Sequence, residues 1–271
     1  MISILVSRQI YTYIMFYLII TADFQQINIE FIESLYEQFD FFNITFIRMD
    51  NRHDKAYSRR YITKNAFYRL SLGELLPNLN KIIYLDSDTI CLKDLSNLYE
   101  LNFLGKIFLA KINTFNNKTL NFTINTGVLL LNLNIMRKEK IEQKALTLLN
   151  NGFTHPIFHD QAIINIYFKK FVGFLPPEFN TFTFNYNYIK QYNKDTGGLY
   201  DFDSLYFSLK FPSILHFRRK PKFKIYNEEN WYYFARKSKY FTWFKMRCVN
   251  HCEINIISNR FYKISSYVSF I

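Results

Sequence analysis

Residues 81–85, Lys-Ile-Ile-Tyr-Leu, form a short apolar run without polar alternation, and it stops abruptly at Asp86-Ser87-Asp88. A turn-like Pro77-Asn78-Leu79-Asn80 leads into it. Such a run reads as a strand buried on both faces, as in a parallel sheet under helices. In an extended chain residues i and i+2 project to the same side, so the carboxylates of Asp86 and Asp88 point together. At the carboxyl end of a parallel strand they stand in the crevice where α/β folds bind ligands. Two carboxylates held together repel, and each is costly to desolvate, so the pair calls for a cation. A hard divalent metal is the natural one. Taken alone, the same three residues also suit a solvated turn after a strand.

The 271 residues allow one sizeable α/β domain with an appendage. The net charge of +12 suits an anionic partner, whether nucleotide phosphates, an anionic membrane surface or nucleic acid. Three cysteines, Cys91, Cys248 and Cys252, are too few and odd in number for a disulfide framework, which favours a reducing compartment. The most hydrophobic window, residues 10–22, is too short to span a bilayer as a helix. Its Tyr, Ile and Phe content favours a core strand.

Along the chain, a strand is expected over residues 10–21 and a helix after it, with Asp23 as N-cap and Ile29, Phe31, Ile32 and Leu35 near helical spacing. Phe42–Arg48 reads as a strand. Residues 59–75 read as a helix with Phe67, Leu70 and Leu75 toward the core and Arg69 displaced from them. A short helical turn over residues 92–98 and a strand over 106–111 follow. Residues 113–121 are Asn-rich and read as a mobile loop. Residues 124–132 read as a turn opening into a buried strand, with Gly127 allowing close backbone approach. Residues 136–150 form an amphipathic helix, residues 159–165 start another, and residues 213–216 make a last short strand.

The flanks of the two acids carry a more specific signal. YITKNAFYRL at residues 61–70, ELLP at 74–77 and IIYLDSD at 82–88 together resemble glycosyltransferase family 8, the retaining nucleotide-sugar enzymes. The likeness continues through LPPEFN at 175–180 to about Lys239. It implies a GT-A fold, α/β and Rossmann-like, with a mixed, mostly parallel sheet flanked by helices. Residues 1–224 would form the transferase domain and residues 225–271 a helical, basic, aromatic extension. By the same resemblance the chain starts at the end of the helix after the family's first strand, so that strand and its Asp/Tyr loop around uracil and ribose have no counterpart. A sheet lacking a central strand would expose unpaired backbone.

The resemblance also implies roles. Asp86, Asp88 and His216 would bind Mn²⁺ (or Mg²⁺), a Lewis acid for the departing nucleoside diphosphate. Arg69 would contact the donor, Asn125 would bond the donor sugar or diphosphate, and Lys220 would steady the diphosphate. Asp160 would accept hydrogen bonds from sugar hydroxyls. Gln161 would lie beneath the anomeric carbon, where a neutral amide is a poor nucleophile; this favours front-face return. Asp160 also suits a plain helix N-terminus. The family pattern H-x-x-G-x-x-K-P-W is shortened here to His216-Phe217-Arg218-Arg219-Lys220-Pro221-Lys222, so Arg218 or Arg219 would share the phosphate contacts.

The resulting expectation is a hexosyltransferase moving galactose or glucose from a UDP-sugar to a glycan or lipopolysaccharide-type acceptor. The alternatives are an inactive family member without nucleotide binding and a basic nucleic-acid binder, for which no motif exists. Basic and aromatic residues interleave between Tyr232 and Tyr262, a pattern that suits a helix on anionic lipid or, equally, a packed terminal helix. The expected location is the cytoplasm, with peripheral contact at the inner membrane face. Cys248-Val-Asn-His251-Cys252 lacks a second pair and reads as structural rather than as a zinc site.

Overall fold

A computed structural model describes residues 1–54, 64–116, 119, 121–154, 159–182, 186–217, 233–234, 237 and 269–270. In chain order these form α1 (Ile2–Ser7), β1 (Ile14–Ile20), α2 (Gln26–Glu33), β2 (Phe42–Arg48), α3 (Leu72–Leu75), β3 (Lys81–Leu85), β4 (Thr89–Cys91), α4 (Ser96–Tyr99) and β5 (Phe108–Asn116). Then come β6 (Asn121–Asn132), α5 (Leu133–Lys138), α6 (Ile141–Asn150), α7 (His159–Tyr167), β7 (Val172–Phe174), α8 (Tyr186–Asp195), α9 (Phe202–Lys210), β8 (Ile214–His216) and β9 (Ser269–Phe270).

The main sheet has the order β2-β1-β9-β3-β6-β5-β7. Strands β1, β2, β3, β5 and β7 run one way, and β6 and β9 run against them. β3 therefore pairs antiparallel on both sides, not within a run of parallel neighbours. Its uniform apolarity has another cause. Ile82 and Tyr84 enter one core with Leu129, Leu131, Phe108 and Ala110, under helices α3, α5, α6 and α7. Leu85 enters a second core with Val128, Leu130 and Leu109, covered by Ile4, Leu5 and Leu98. Alternate side chains serve two cores, so the period of two is present but invisible in polarity.

Several expectations shift. Asp23 does not cap α2, which starts at Gln26 with Gln25 at the cap position. The helix foreseen over residues 136–150 breaks into α5 and α6, with Lys140 between them at φ 53°. Of the Asn-rich segment, residues 113–116 and 121 are strand, not loop: β5 continues to Asn116 and pairs with β6 from Asn121, and Thr114 and Thr123 share a hydroxyl hydrogen bond of 2.7 Å. Of the helix expected over residues 59–75, the described part is a 3₁₀ turn, Lys64–Leu70, followed by α3. The expected central gap in the sheet carries Ser269–Phe270, which pairs with Leu18 and Ile19 on one side and Leu85 on the other.

β6 holds a feature that positions the site. Ala110 faces Leu129, but the next residue, Lys111, faces Asn125, so residues 126–128 bulge from the ladder. Bulges re-aim backbone groups beside functional clefts. A second, two-stranded sheet joins β4 to β8 antiparallel, with Thr89 opposite His216.

Candidate active site

The β4–β8 ladder brings residues from distant parts of the sequence together. Asp86 and Asp88 leave the end of β3, and His216 ends β8. One ligand atom from each lies within 4.8 Å of the others, and His216 Nε2 is 3.2 Å from Asp88 Oδ1. Asp88 is exposed, Asp86 half-buried and His216 buried. The Phe217 amide donates to the Asp88 carbonyl at 2.9 Å, which fixes the strand end against the acidic turn.

Asp86 and His216 are braced from behind. The Asp86 amide donates to Gly127 O at 2.7 Å, across the bulge. Asp86 Oδ1 accepts from Tyr84 Oη at 2.9 Å and from Arg69 Nη2 at 3.0 Å. His216 Nδ1 bonds Asn180 Oδ1 at 2.9 Å, and its ring tilts on Phe182 with centroids 4.9 Å apart. Gly127 closes the back of the cluster: a Cβ there would lie 2.1 Å from His216 Cε1 and 2.8 Å from Asp86 Oδ2. Two carboxylates and an imidazole with its second nitrogen engaged form an oxygen- and nitrogen-donor set that fits one hard or borderline divalent cation.

Arg69 is 4% exposed, so it does not stand aside from the core as its spacing suggested. Its Nε lies 3.1 Å from Asp160 Oδ2, its Nη1 donates to Thr126 O, and its guanidinium sits 4.4 Å from the Tyr84 ring centroid. Burial opposes its charge, but Asp160 and Asp86 outweigh that and raise its pKa. Burial pushes the Asp160 carboxyl above the usual carboxylate range, with Arg69 opposing. Arg69 thus ties Asp86 to the start of α7.

α7 docks on β6 through Asn165, whose side chain accepts from Ile124 N at 2.9 Å and donates to Ile124 O at 3.3 Å. That places Gln161 beside the bulge: its Oε1 accepts from Thr126 N at 3.3 Å and from Asn125 Nδ2 at 3.4 Å. Ala162 turns away and is 2% exposed. Of the residues singled out from the sequence, Asp86, Asp88, His216, Arg69, Asn125, Asp160 and Gln161 form one connected cluster. Lys220, with Arg218 and Arg219, lies outside the described residues, as do Cys248, His251 and Cys252.

Sequence reasoning missed Asn165, the role of Asn180, and Lys111. Lys111 is 1% exposed, with Nζ 2.5 Å from Tyr188 Oη and 4.4 Å from the Phe182 ring centroid, which places a cation behind the ring that backs His216. An available signal for Asn180 was its place at the end of the LPPEFN segment.

Comparison with known proteins places the chain in a family. The sequence profile described as Glycosyl transferase family 8 matches residues 3–198. General stress protein A of Bacillus subtilis (strain 168) is 28% identical over 138 residues, covering 45% of this chain and 47% of that protein. Lipopolysaccharide 1,2-glucosyltransferase of Escherichia coli (strain K12) is 30% identical over 134 residues, covering 44% of this chain and 39% of that protein. The chain therefore spans less than half the length of these curated relatives. The crystal structure of an active-site mutant of LgtC superposes with a TM-score of 0.67 at 20% identity, covering 88% of this chain and 89% of LgtC. WbbM, a bifunctional glycosyltransferase, gives 0.67 at 16% identity over 91% of this chain and 48% of that one. With a GT-A fold like that of LgtC and the family profile matched over most of its length, this chain belongs to glycosyltransferase family 8.

Proposed function

We propose that this chain is a retaining hexosyltransferase that takes galactose or glucose from a UDP-sugar and passes it to a glycan or lipopolysaccharide-type acceptor. The observation that carries this reading is the arrival of His216, from a remote strand, at the acidic turn Asp86-Ser87-Asp88. Asp86, Asp88 and His216 would hold Mn²⁺ or Mg²⁺, which when bound supplies Lewis-acid stabilisation to the charge that grows on the leaving diphosphate. A lipopolysaccharide glucosyltransferase among the relatives, and an LgtC structure in complex with donor and acceptor sugar analogs (TM-score 0.52), support the substrate class.

In this reading the bond between the anomeric carbon and the phosphate oxygen breaks, and the acceptor hydroxyl attacks from the same face. A diphosphate oxygen takes the hydroxyl proton. Gln161 underlies the opposite face. It is a neutral amide whose oxygen already accepts from Asn125 and Thr126, which supports front-face return over a covalent intermediate. Asp160 accepts from sugar hydroxyls, and Asn125 and Lys220 bind donor groups. Arg69 balances the charge of Asp86 and Asp160 and keeps both in place. Residues 232–262 are proposed to touch an anionic membrane face; among the described residues no helix is long and apolar enough to cross a membrane.

The test is thermal unfolding with Mn²⁺ and UDP. At ligand near 100 times Kd the wild type gains about 2.7 kcal/mol, and Asp88→Ala should abolish the gain. A UDP-sugar hydrolysis screen then names the donor. Absence of any UDP-dependent shift would instead favour a family member that folds without binding nucleotide. That second reading draws on Ser269–Phe270 occupying the sheet position between β1 and β3.

A further inference from the structure

We infer that Asn180 is a positioning residue: its amide fixes the tautomer of His216, presenting the Nε2 lone pair to the acidic turn, and the polarity of the arrangement starts at the backbone of Gly127. The inference rests on the proposed function only in treating His216 as a metal ligand.

The argument follows a series of hydrogen bonds in which each step fixes the next. Gly127 N donates to Asn125 Oδ1 at 3.0 Å. A backbone N–H can only donate, so Asn125 must turn its oxygen, not its amino group, toward the bulge. That oxygen also faces the Asn180 amide at 2.8 Å, and two oxygens at that distance would repel, so Asn180 presents Nδ2. The Asn180 oxygen is then left facing His216 Nδ1 at 2.9 Å. A carbonyl oxygen only accepts, so Nδ1 carries the proton, and in the neutral ring Nε2 keeps its lone pair. That lone pair faces Asp88 Oδ1 at 3.2 Å, an arrangement a cation between them relieves. In the other direction Asn125 uses its Nδ2 on Gln161 Oε1 at 3.4 Å. One chain of amides thus links the metal ligand to the residue beneath the anomeric carbon.

The position enforces the geometry. Asn180 is 0% exposed, so water does not compete for its amide. Its backbone neighbour is stitched to the same strand as the imidazole: Thr181 N donates to Ile214 O at 2.9 Å, and His216 N donates to Thr181 O at 2.8 Å. An amide suits the position because it accepts at one end and donates at the other. Aspartate supplies only acceptors, and leucine supplies neither function.

The experiment uses the metal-free full chain labelled with ¹⁵N-histidine, with the His216 signals assigned by their loss in His216→Gln. The wild type should show a protonated Nδ1. In Asn180→Leu that preference should be lost, and Mn²⁺ affinity measured by electron paramagnetic resonance should fall by about 10- to 100-fold. Asn180→Asp keeps an acceptor for Nδ1–H but turns its second oxygen on Asn125 Oδ1, so it should keep the Nδ1 proton and bind Mn²⁺ more tightly than Asn180→Leu but less tightly than the wild type. A wild-type spectrum with Nδ1 unprotonated overturns the inference, and this needs no variant to fold. So does unchanged Mn²⁺ affinity in Asn180→Leu whose circular dichroism melt shows it folded. None of these readouts involves a sugar nucleotide. Absent transfer with the expected spectrum and affinities would sink the transferase reading alone, whereas transfer with Nδ1 unprotonated would sink only this one.

Discussion

Replacing Gly127 with alanine separates steric from conformational roles at the centre of the site. The backbone there is not in the left-handed region, so alanine is tolerated conformationally and on that count stabilises by roughly 0.4–1 kcal/mol. The new Cβ, however, would sit 2.1 Å from His216 Cε1. Carbon atoms settle at about 3.5–4.0 Å, so the ring must retreat by about 1.5 Å. It cannot do so freely, because Nδ1 is held by Asn180 and the ring rests on Phe182. Overpacking of this kind costs about 1–3 kcal/mol, leaving a net loss near 1–2 kcal/mol and a drop in Tm of a few degrees. Displacing one ligand by that distance should also weaken Mn²⁺ binding by at least about tenfold. The assay is a double-mutant cycle read by thermal melting, with metal titration on the single variant. In a His216→Ala background the 2.1 Å clash vanishes and of the close contacts only that with Asp86 Oδ2 at 2.8 Å remains, so there Gly127→Ala should cost clearly less. An equal cost in both backgrounds, or wild-type Mn²⁺ affinity in Gly127→Ala, would refute the reasoning.

Three other perturbations test the frame around the site. Burial lowers the pKa of His53 from 6.5 to about 4, so the unfolded chain binds the proton first as pH falls. Stability should therefore decline by up to roughly 3 kcal/mol between those values, and His53→Gln should remove that part of the decline in urea titrations across pH. Arg137 donates to the carbonyls of Gly73, Leu76 and Leu79 at 2.9–3.1 Å; Arg137→Ala should cost about 2–4 kcal/mol in chemical denaturation, while a loss below about 1 kcal/mol would show those carbonyls rehydrate. Arg69→Met strands Asp160, with a penalty of roughly 3–5 kcal/mol at neutral pH. Because the folded-state pKa of Asp160 is raised above its unfolded value, this penalty should shrink as pH falls and the carboxyl takes up a proton, a trend visible in melts from pH 8 to 4.

What the sequence disclosed followed from side-chain chemistry repeated locally. Phe42–Arg48 was legible as a strand to the residue, and the acids after β3 stood out because an apolar run ends on them. The long-range partners were legible only through the family pattern, since nothing local to His216 points to a carboxylate far away in the chain. Local composition misled where tertiary pairing overrode it. The Asn-rich stretch after Lys111 reads as loop, yet β6 supplies a partner strand and makes residues 113–116 sheet. The amphipathic period across residues 136–150 is continuous, so the left-handed turn at Lys140 left no trace in it. Asn180 and Asn165 were silent for another reason: a buried amide is recognised by what it bonds, and those partners are brought near only by the folded chain.

The three-residue ladder between β4 and β8 sets a parity for the whole site. Because facing residues alternate sides, sliding one strand past the other by a single step would put Leu215 or Phe217 where the imidazole now stands. A slide of two would return a side chain to the correct side, but it would not be His216. Loops elsewhere between the acids and the histidine are free to lengthen at small entropic cost. An insertion inside either short strand is not, and a transplant of this site into another scaffold must carry both strands together, in frame.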